Sequence, residues 1–290
     1  MRNAECGVRN ILKNILLIII TLWVPILVHA ETAPQPELLF EPNNPGPGDI
    51  MVVTIKNITG AVEGTFNGKK VYFNPSRESL KAIVGIDLSV VPGKYEMEIS
   101  AAGNTMRRSV RVVKKKYGLQ RLTLPKDMVE LTPENEARVE REQHKMSAIW
   151  PNESELVWAG NFSNPLEGEI VTQFGVKRII NKILKNPHSG VDVSGKEGDP
   201  VHAPNNGIVT LVDDQFYSGN SVVLDHGQGI YTMFFHLSKI LVNAGQKVKK
   251  GEVIALVGST GRSTGAHLHW GARVQGAKVD PLELIKLQLE

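Results

Sequence analysis

Three runs of chain, GIVTLV at 207–212, SVVLDHG at 221–227 and VIALVGS at 253–259, decide the fold. Each is short, rich in β-branched residues and bounded by glycine, and from Ile170 onward no helical period lasts three turns. That pattern predicts an all-β, antiparallel C-terminal domain, assigned to residues 158–290. Working outward, MVVTI, KVYF, YEMEIS and SVRVV recur between Ile50 and Val113 at hairpin-like intervals. This predicts a small Ig-like β-sandwich over 49–116. Between the two lies a connector, 117–157, where Thr132 followed by Pro133, Glu134 and Glu136 offers an N-cap, a proline at the first helical position and an acidic first turn. The expected helix is charged, with a sparse apolar face, and His144 is read as one of its exposed residues. Residues 31–48, rich in proline and glycine, read as a flexible tether. The class is therefore mainly β with a helical connector.

Composition narrows function by exclusion. Hydrophobic residues at 41% and charged residues at 22% are ordinary globular usage. Arg2, Arg9 and Lys13 precede an apolar run from Ile15 to Val28 that ends in Val28-His29-Ala30. These features predict a secretory signal over 1–30, cut after Ala30, and an exported protein of the periplasm or cell envelope. Without that segment the chain has 30 basic against 29 acidic residues, so there is no basic field for nucleic acid. Cys6 leaves with the signal, and the remaining chain is free of cysteine. Lys114-Lys115-Lys116 reads as a solvated edge, and Asp213-Asp214 as a solvated turn.

The histidines carry the chemical argument. His188 and Asp192 stand four apart around Gly190, which lets an extended chain turn both towards one point. In His267-Leu268-His269 the two rings project from one face of a strand. Such a pair admits two readings: metal ligands, or strand histidines bonded to carbonyls. His236 closes the apolar run Phe234-Phe235 and gains weight from a chain that has no His-Glu-x-x-His helix to supply a proton acceptor. His202 and His226, at strand ends, read as structural. The glycines between Gly258 and Gly265 lack the ending of a phosphate loop and read as the lining of a peptide cleft.

His188-x-x-x-Asp192, Phe234-Phe235-His236-Leu237 and the run Ser259 to Trp270 together resemble the lysostaphin/LytM-type zinc endopeptidases, a bacterial cell-wall peptidase family. Phe174-Gly175, Gly219-Asn220, Asp225-His226-Gly227 and Gly245-Gln246 extend the resemblance over about residues 158 to 284. The N-terminal module, with Gly64-x-Phe66-x-Gly68, is similar to one found in some bacterial members. The resemblance implies one zinc ion held by His188, Asp192 and His269. It also implies His236 and His267 as the catalytic pair beside the metal-bound water, and the peptides of peptidoglycan, stem-peptide cross-links or bridges, as substrate. His267 is assigned here as base and His236 as stabiliser, an order the sequence leaves open. Three protein ligands leave a fourth position open, and zinc brings the pKa of its water to about 7. Phe234 stands where the family usually has tyrosine and Ala266 where it often has proline, which bears on substrate contacts and leaves the ligands intact.

Two other readings compete: a non-catalytic relative that activates another wall hydrolase, and a biotinyl/lipoyl-like carrier suggested by Val242 to Val257. All five residues are present, which disfavours the first, and the lack of a modifiable hairpin lysine disfavours the second. The N-terminal module is a candidate for binding an envelope partner, and it or the connector for covering the cleft.

Overall fold

The computed structural model describes residues 35–101, 103–123 and 131–289. The expected signal at 1–30 lies outside them. Residues 35–289 belong to one compact unit. Its first strands are β1 (Glu37–Glu41), β2 (Ile50–Lys56), β3 (Val62–Phe66), β4 (Lys69–Val71), β5 (Phe73–Ser76), β6 (Ser79–Gly85), β7 (Gly93–Ala101) and β8 (Asn104–Val112). They form two four-stranded sheets, ordered β1-β2-β6-β5 and β4-β3-β7-β8. Met51, Val53 and Ile55 alternate inward along β2 and meet Met97 and Ile99 of β7 in one buried cluster, as the two inner faces of a sandwich should.

The tether expected over 31–48 is corrected for its described part, residues 35–48. Glu37–Glu41 pairs antiparallel with β2, placing Leu38 and Phe40 against the sandwich core. Pro45 to Gly48 are buried, and Gly48, at φ 83°, donates its N–H to the Ile86 carbonyl. Proline and glycine serve close packing at this point, because Phe174 and Tyr117 leave no room for a side chain at Gly48.

In the connector, β9 (Leu119–Leu122) precedes α1 (Pro133–Ser147). Thr132 Oγ1 accepts the Asn135 N–H and Pro133 opens the helix, as expected. Glu142 accepts from Arg138 and from the Phe216 N–H, while Arg138 and Lys145 pair with Asp214 and Asp213. The acidic pair read as a solvated turn is thus the docking edge for α1.

The C-terminal strands are β10 (Ile170–Thr172), β11 (Lys177–Ile180), β12 (Ile183–Lys185), β13 (Gly190–Ser194), β14 (Pro200–His202), β15 (Gly207–Gln215), β16 (Gly219–Gly227), β17 (Ile230–Ile240), β18 (Lys247–Val248), β19 (Val253–Val257), β20 (His267–Val274) and β21 (Ala277–Val279), closed by α2 (Pro281–Lys286). Ten of these strands form one sheet with the path β10-β13-β20-β17-β16-β15-β18. The two others, β11 and β12, join β9 in a separate sheet in which β9 runs parallel to β11.

Strand alternation sorts the large sheet's side chains. Val191, Val193, Phe234, Leu268 and Trp270 enter the main core, leaving Asp192, Phe235, His267 and His269 on the opposite face. A second cluster joins Ile50 and Ile83 of the sandwich to Ile230, Ala272 and Val274. Gly85 permits that contact, since a Cβ there would lie 2.8 Å from Val274 Cβ.

Candidate metal centre

The central strands β13, β20 and β17 bring the site together. Asp192 is the register partner of His269, and His269 that of Phe235. His188 lies two residues before β13, and its N–H donates to the Val176 carbonyl. Its ring Nδ1 is 3.0 Å from the Gln173 carbonyl, which can only accept, so Nδ1 carries the proton and Nε2 offers a lone pair. That Nε2 lies 2.9 Å from His269 Nδ1 and 3.0 Å from Asp192 Oδ1, and the last two atoms are 2.9 Å apart. A lone pair, a carboxylate oxygen and a second ring nitrogen converging this closely in a buried place call for positive charge between them. Two imidazoles and one carboxylate are a donor set that suits zinc or a similar divalent ion. Among the described residues this is the group of three that could hold a metal.

The electrostatics agree with a deprotonated donor set. Burial opposes ionisation of Asp192, yet its bonds to His188 and His269 hold the carboxyl well below the usual carboxylate range. Burial lowers the pKa of His269 to about 4. Arg178 Nη2 approaches the other side of the carboxylate, 3.5 Å from Oδ2.

His236 and His267 stand beside the triad with ring centroids 4.8 Å apart, and His267 Nε2 is 3.8 Å from Asp192 Oδ1. In both rings Nδ1 faces a carbonyl, Thr260 O at 2.8 Å for His236 and Gly265 O at 2.9 Å for His267. Both therefore keep Nε2 unprotonated when neutral. Burial also lowers the pKa of His236.

His236 reaches this face through a β-bulge. Asn220 pairs with Leu237 and Val222 with Phe234, so β17 carries one more residue than β16 across the same interval. His236 takes the left-handed conformation, φ 63°, with its N–H donating to Ser218 O. Plain alternation would send its ring into the core with Phe234; the extra residue re-aims it while Leu237 returns to the core.

Gly190 has a different role from the one read in the sequence. Its φ is not positive, so turning the chain is not what it does. A Cβ there would lie 2.6 Å from His269 Nε2 and collide with the Trp270 carbonyl, so the missing side chain makes room for the ring. His226 is fully buried, bonded to Asn206 O and Thr232 Oγ1 at 2.7 Å each, and apart from the triad. His144 is exposed on α1.

Some site residues carried no chemical signal in the sequence. Phe235 stacks on His269 with centroids 5.3 Å apart and planes 7° apart, fixing the ring. The cleft at the triad, about 150 Å³, is walled by Arg178, Arg262, Ser263 and Thr264, and also by Gln120 and Leu122 of the connector strand β9.

Comparison with known proteins gives a consistent set. The family model of peptidase family M23 matches residues 186–281. A crystal structure of a putative peptidase M23 from Pseudomonas aeruginosa is 34% identical with a TM-score of 0.70, over 84% of this chain and 96% of that one. Among curated proteins, the peptidoglycan DD-endopeptidase ShyA of Vibrio cholerae is 44% identical over 97 residues, 33% of this chain and 23% of that protein. An uncharacterized metalloprotease of Haemophilus influenzae is 53% identical over 97 residues, 33% of this chain and 20% of that protein. The DD-carboxypeptidase/endopeptidase Mpg of Neisseria meningitidis is 42% identical over 97 residues, 33% of this chain and 22% of that protein. The match thus spans a fifth to a quarter of the length of these curated relatives.

Proposed function

The chain belongs to peptidase family M23, and on that premise we propose that it is a zinc-dependent endopeptidase hydrolysing peptide bonds in bacterial peptidoglycan within the cell envelope. The observation that carries the reading is the convergence of His188 Nε2, Asp192 Oδ1 and His269 Nδ1 beside two further imidazoles that present free Nε2 atoms. His188, Asp192 and His269 would hold the ion. When bound, zinc supplies Lewis-acid polarisation of a carbonyl and makes water acidic enough to ionise near neutrality.

The chain's own residues do the rest. The Gly265 carbonyl fixes Nδ1–H of His267, so His267 Nε2 accepts the proton as general base. Thr260 O pins the Nδ1–H of His236 in the same way, so its Nε2 can donate to a developing oxyanion or a leaving amine only after taking up a proton. Phe235 and Gln173 keep two ligand rings in their orientation. The similarity to a peptidoglycan DD-endopeptidase supports peptidoglycan peptides as the substrate class, with a stem-peptide cross-link or a bridge as the bond.

The test is to purify the protein, determine zinc stoichiometry, and incubate it with purified peptidoglycan before and after chelation. New amino termini that appear only with metal, and return when zinc is restored, are expected. Stoichiometric zinc with no cleavage of any wall preparation would overturn the proposal.

A further inference from the structure

A second groove, of about 320 Å³, leaves the candidate metal centre on the same face of the sheet. Its lining includes Ser189 and Phe235, chain neighbours of His188 and His236, and also Arg273 and Lys278. Met233 and Phe235 of β17 line its floor, and Val139 and Met146 of α1 form one wall. His269, Gly271 and Arg273 alternate on one face of β20, so Arg273 lies about 13 Å along the strand from the ligand His269. Gly271 keeps the path between them clear, since a Cβ there would lie 2.9 Å from Met233 Cε.

The far end is cationic. Arg273 and Lys278 are register partners on β20 and β21, both half-buried. The guanidinium gives one hydrogen bond, from Nη1 to the Gly276 carbonyl at 2.7 Å, and stacks over Trp150 at 4.4 Å. Among the described residues no carboxylate oxygen lies within 4.0 Å of either cation. Of the nearby acids, Asp87 acts on both cations from a distance and pairs directly with neither. Glu142 is held by Arg138 and Phe216, and Asp87 accepts from the Ser89 N–H, the Ser89 hydroxyl and the Lys278 backbone N–H. Two partly buried cations that share one carboxylate at a distance leave an excess of positive charge, and a guanidinium with free edges suits a further carboxylate.

We propose that this groove is an acidic-peptide subsite in which Arg273 and Lys278 receive a carboxylate of the substrate. An extended peptide advances about 3.3 to 3.6 Å per residue, which puts that carboxylate three to four residues from the scissile bond. The inference rests on the peptidase reading above, naming which feature of the peptide is recognised and where.

The experiment uses two synthetic peptides that differ only in whether this carboxylate is free or amidated. Binding is titrated calorimetrically on the chelated protein, and cleavage is followed on the zinc-loaded protein. The free acid should bind about tenfold more tightly than the amide and show a correspondingly lower KM at nearly equal kcat. R273Q should reduce the preference to less than about twofold. Because R273Q also removes the stack on Trp150, K278Q, whose ammonium has no bonded partner among the described residues, is the second variant and should lower the preference about threefold. Equal binding of acid and amide, or full preference in both variants, would overturn the subsite. A binding preference without any cleavage would leave the subsite standing and remove the peptidase reading; cleavage without a preference would do the reverse.

Discussion

Gly190→Ala isolates the packing that holds His269. Gly190 lies on β13 opposite Gly271 of β20, between His188 and Asp192, in a backbone conformation that alanine adopts freely. The effect of the substitution is therefore steric. The added methyl would lie 2.6 Å from His269 Nε2 and 2.9 Å from Cε1, where ordinary contact begins at 3.4 Å. The ring must retreat by about 0.8 Å, several times the roughly 0.2 Å that metal–ligand distances tolerate. Retreat on one side is opposed by the Phe235 ring, and the Trp270 carbonyl belongs to the strand ladder. Overpacking of this kind costs about 1–3 kcal/mol in the metal-free protein. Misorienting a ligand lowers zinc affinity by about a hundredfold, near 2.7 kcal/mol. Competition against a chromophoric chelator, beside thermal melts of the chelated protein, reads both quantities. Gly265→Ala is the control, because a methyl there meets nothing within 4 Å. If Gly190→Ala binds zinc and melts like the parent, the argument that the glycine makes room for the ring is refuted.

Replacing His236 separates its backbone from its ring: with φ at 63°, His236→Gly should be about 1 kcal/mol more stable than His236→Ala by denaturant titration, while both keep zinc and lose turnover. His269→Ala should lose zinc, whereas His267→Ala should retain most of it and lose turnover; equal metal loss in the two would defeat the assigned roles. Burial lowers the pKa of His226 from 6.5 to about 4, so the unfolded chain takes up a proton there before the folded one does. Its stabilising share is complete above pH 6.5 and falls as pH drops towards 4, by up to about 3 kcal/mol. His226→Gln should flatten the pH dependence of stability over that window, and an unchanged slope would contradict the assignment. Glu142→Ala strands the Phe216 N–H and loosens α1, which should lower stability by about 1–2 kcal/mol and speed amide exchange at Phe216.

Much of the molecule was legible because two signals are local. Strand alternation in 50–113 and beyond 170 is a property of neighbouring residues, and the cap at Thr132 with Pro133 is a four-residue pattern. His188, Asp192 and His269 were grouped through the family resemblance, because a histidine and an aspartate four apart, or two histidines two apart, are each common and admit structural readings. What escaped depends on partners distant in sequence. The tether over 31–48 looked flexible because proline and glycine mark both loops and tight packing, and Phe174, which decides between them at Gly48, lies far along the chain. The bulge at His236 is visible only against β16, and the role of Gly190 only against the His269 ring. The short strand β9 has no alternation long enough to read, and it forms by pairing with β11.

The triad is drawn together over long stretches of chain: the contacts of His269 with His188 and Asp192 span 81 and 77 residues. During synthesis the first two ligands emerge well before the third, and β20 must then insert between β13 and β17. No fragment ending before His269 contains all three proposed ligands, so metal capture by them would be a late event that follows sheet closure. An ion held by these three residues would act as a latch on the finished domain: at a thousandfold excess over its dissociation constant it would add about 4 kcal/mol to the folded state and nothing to a nascent chain that does not bind it.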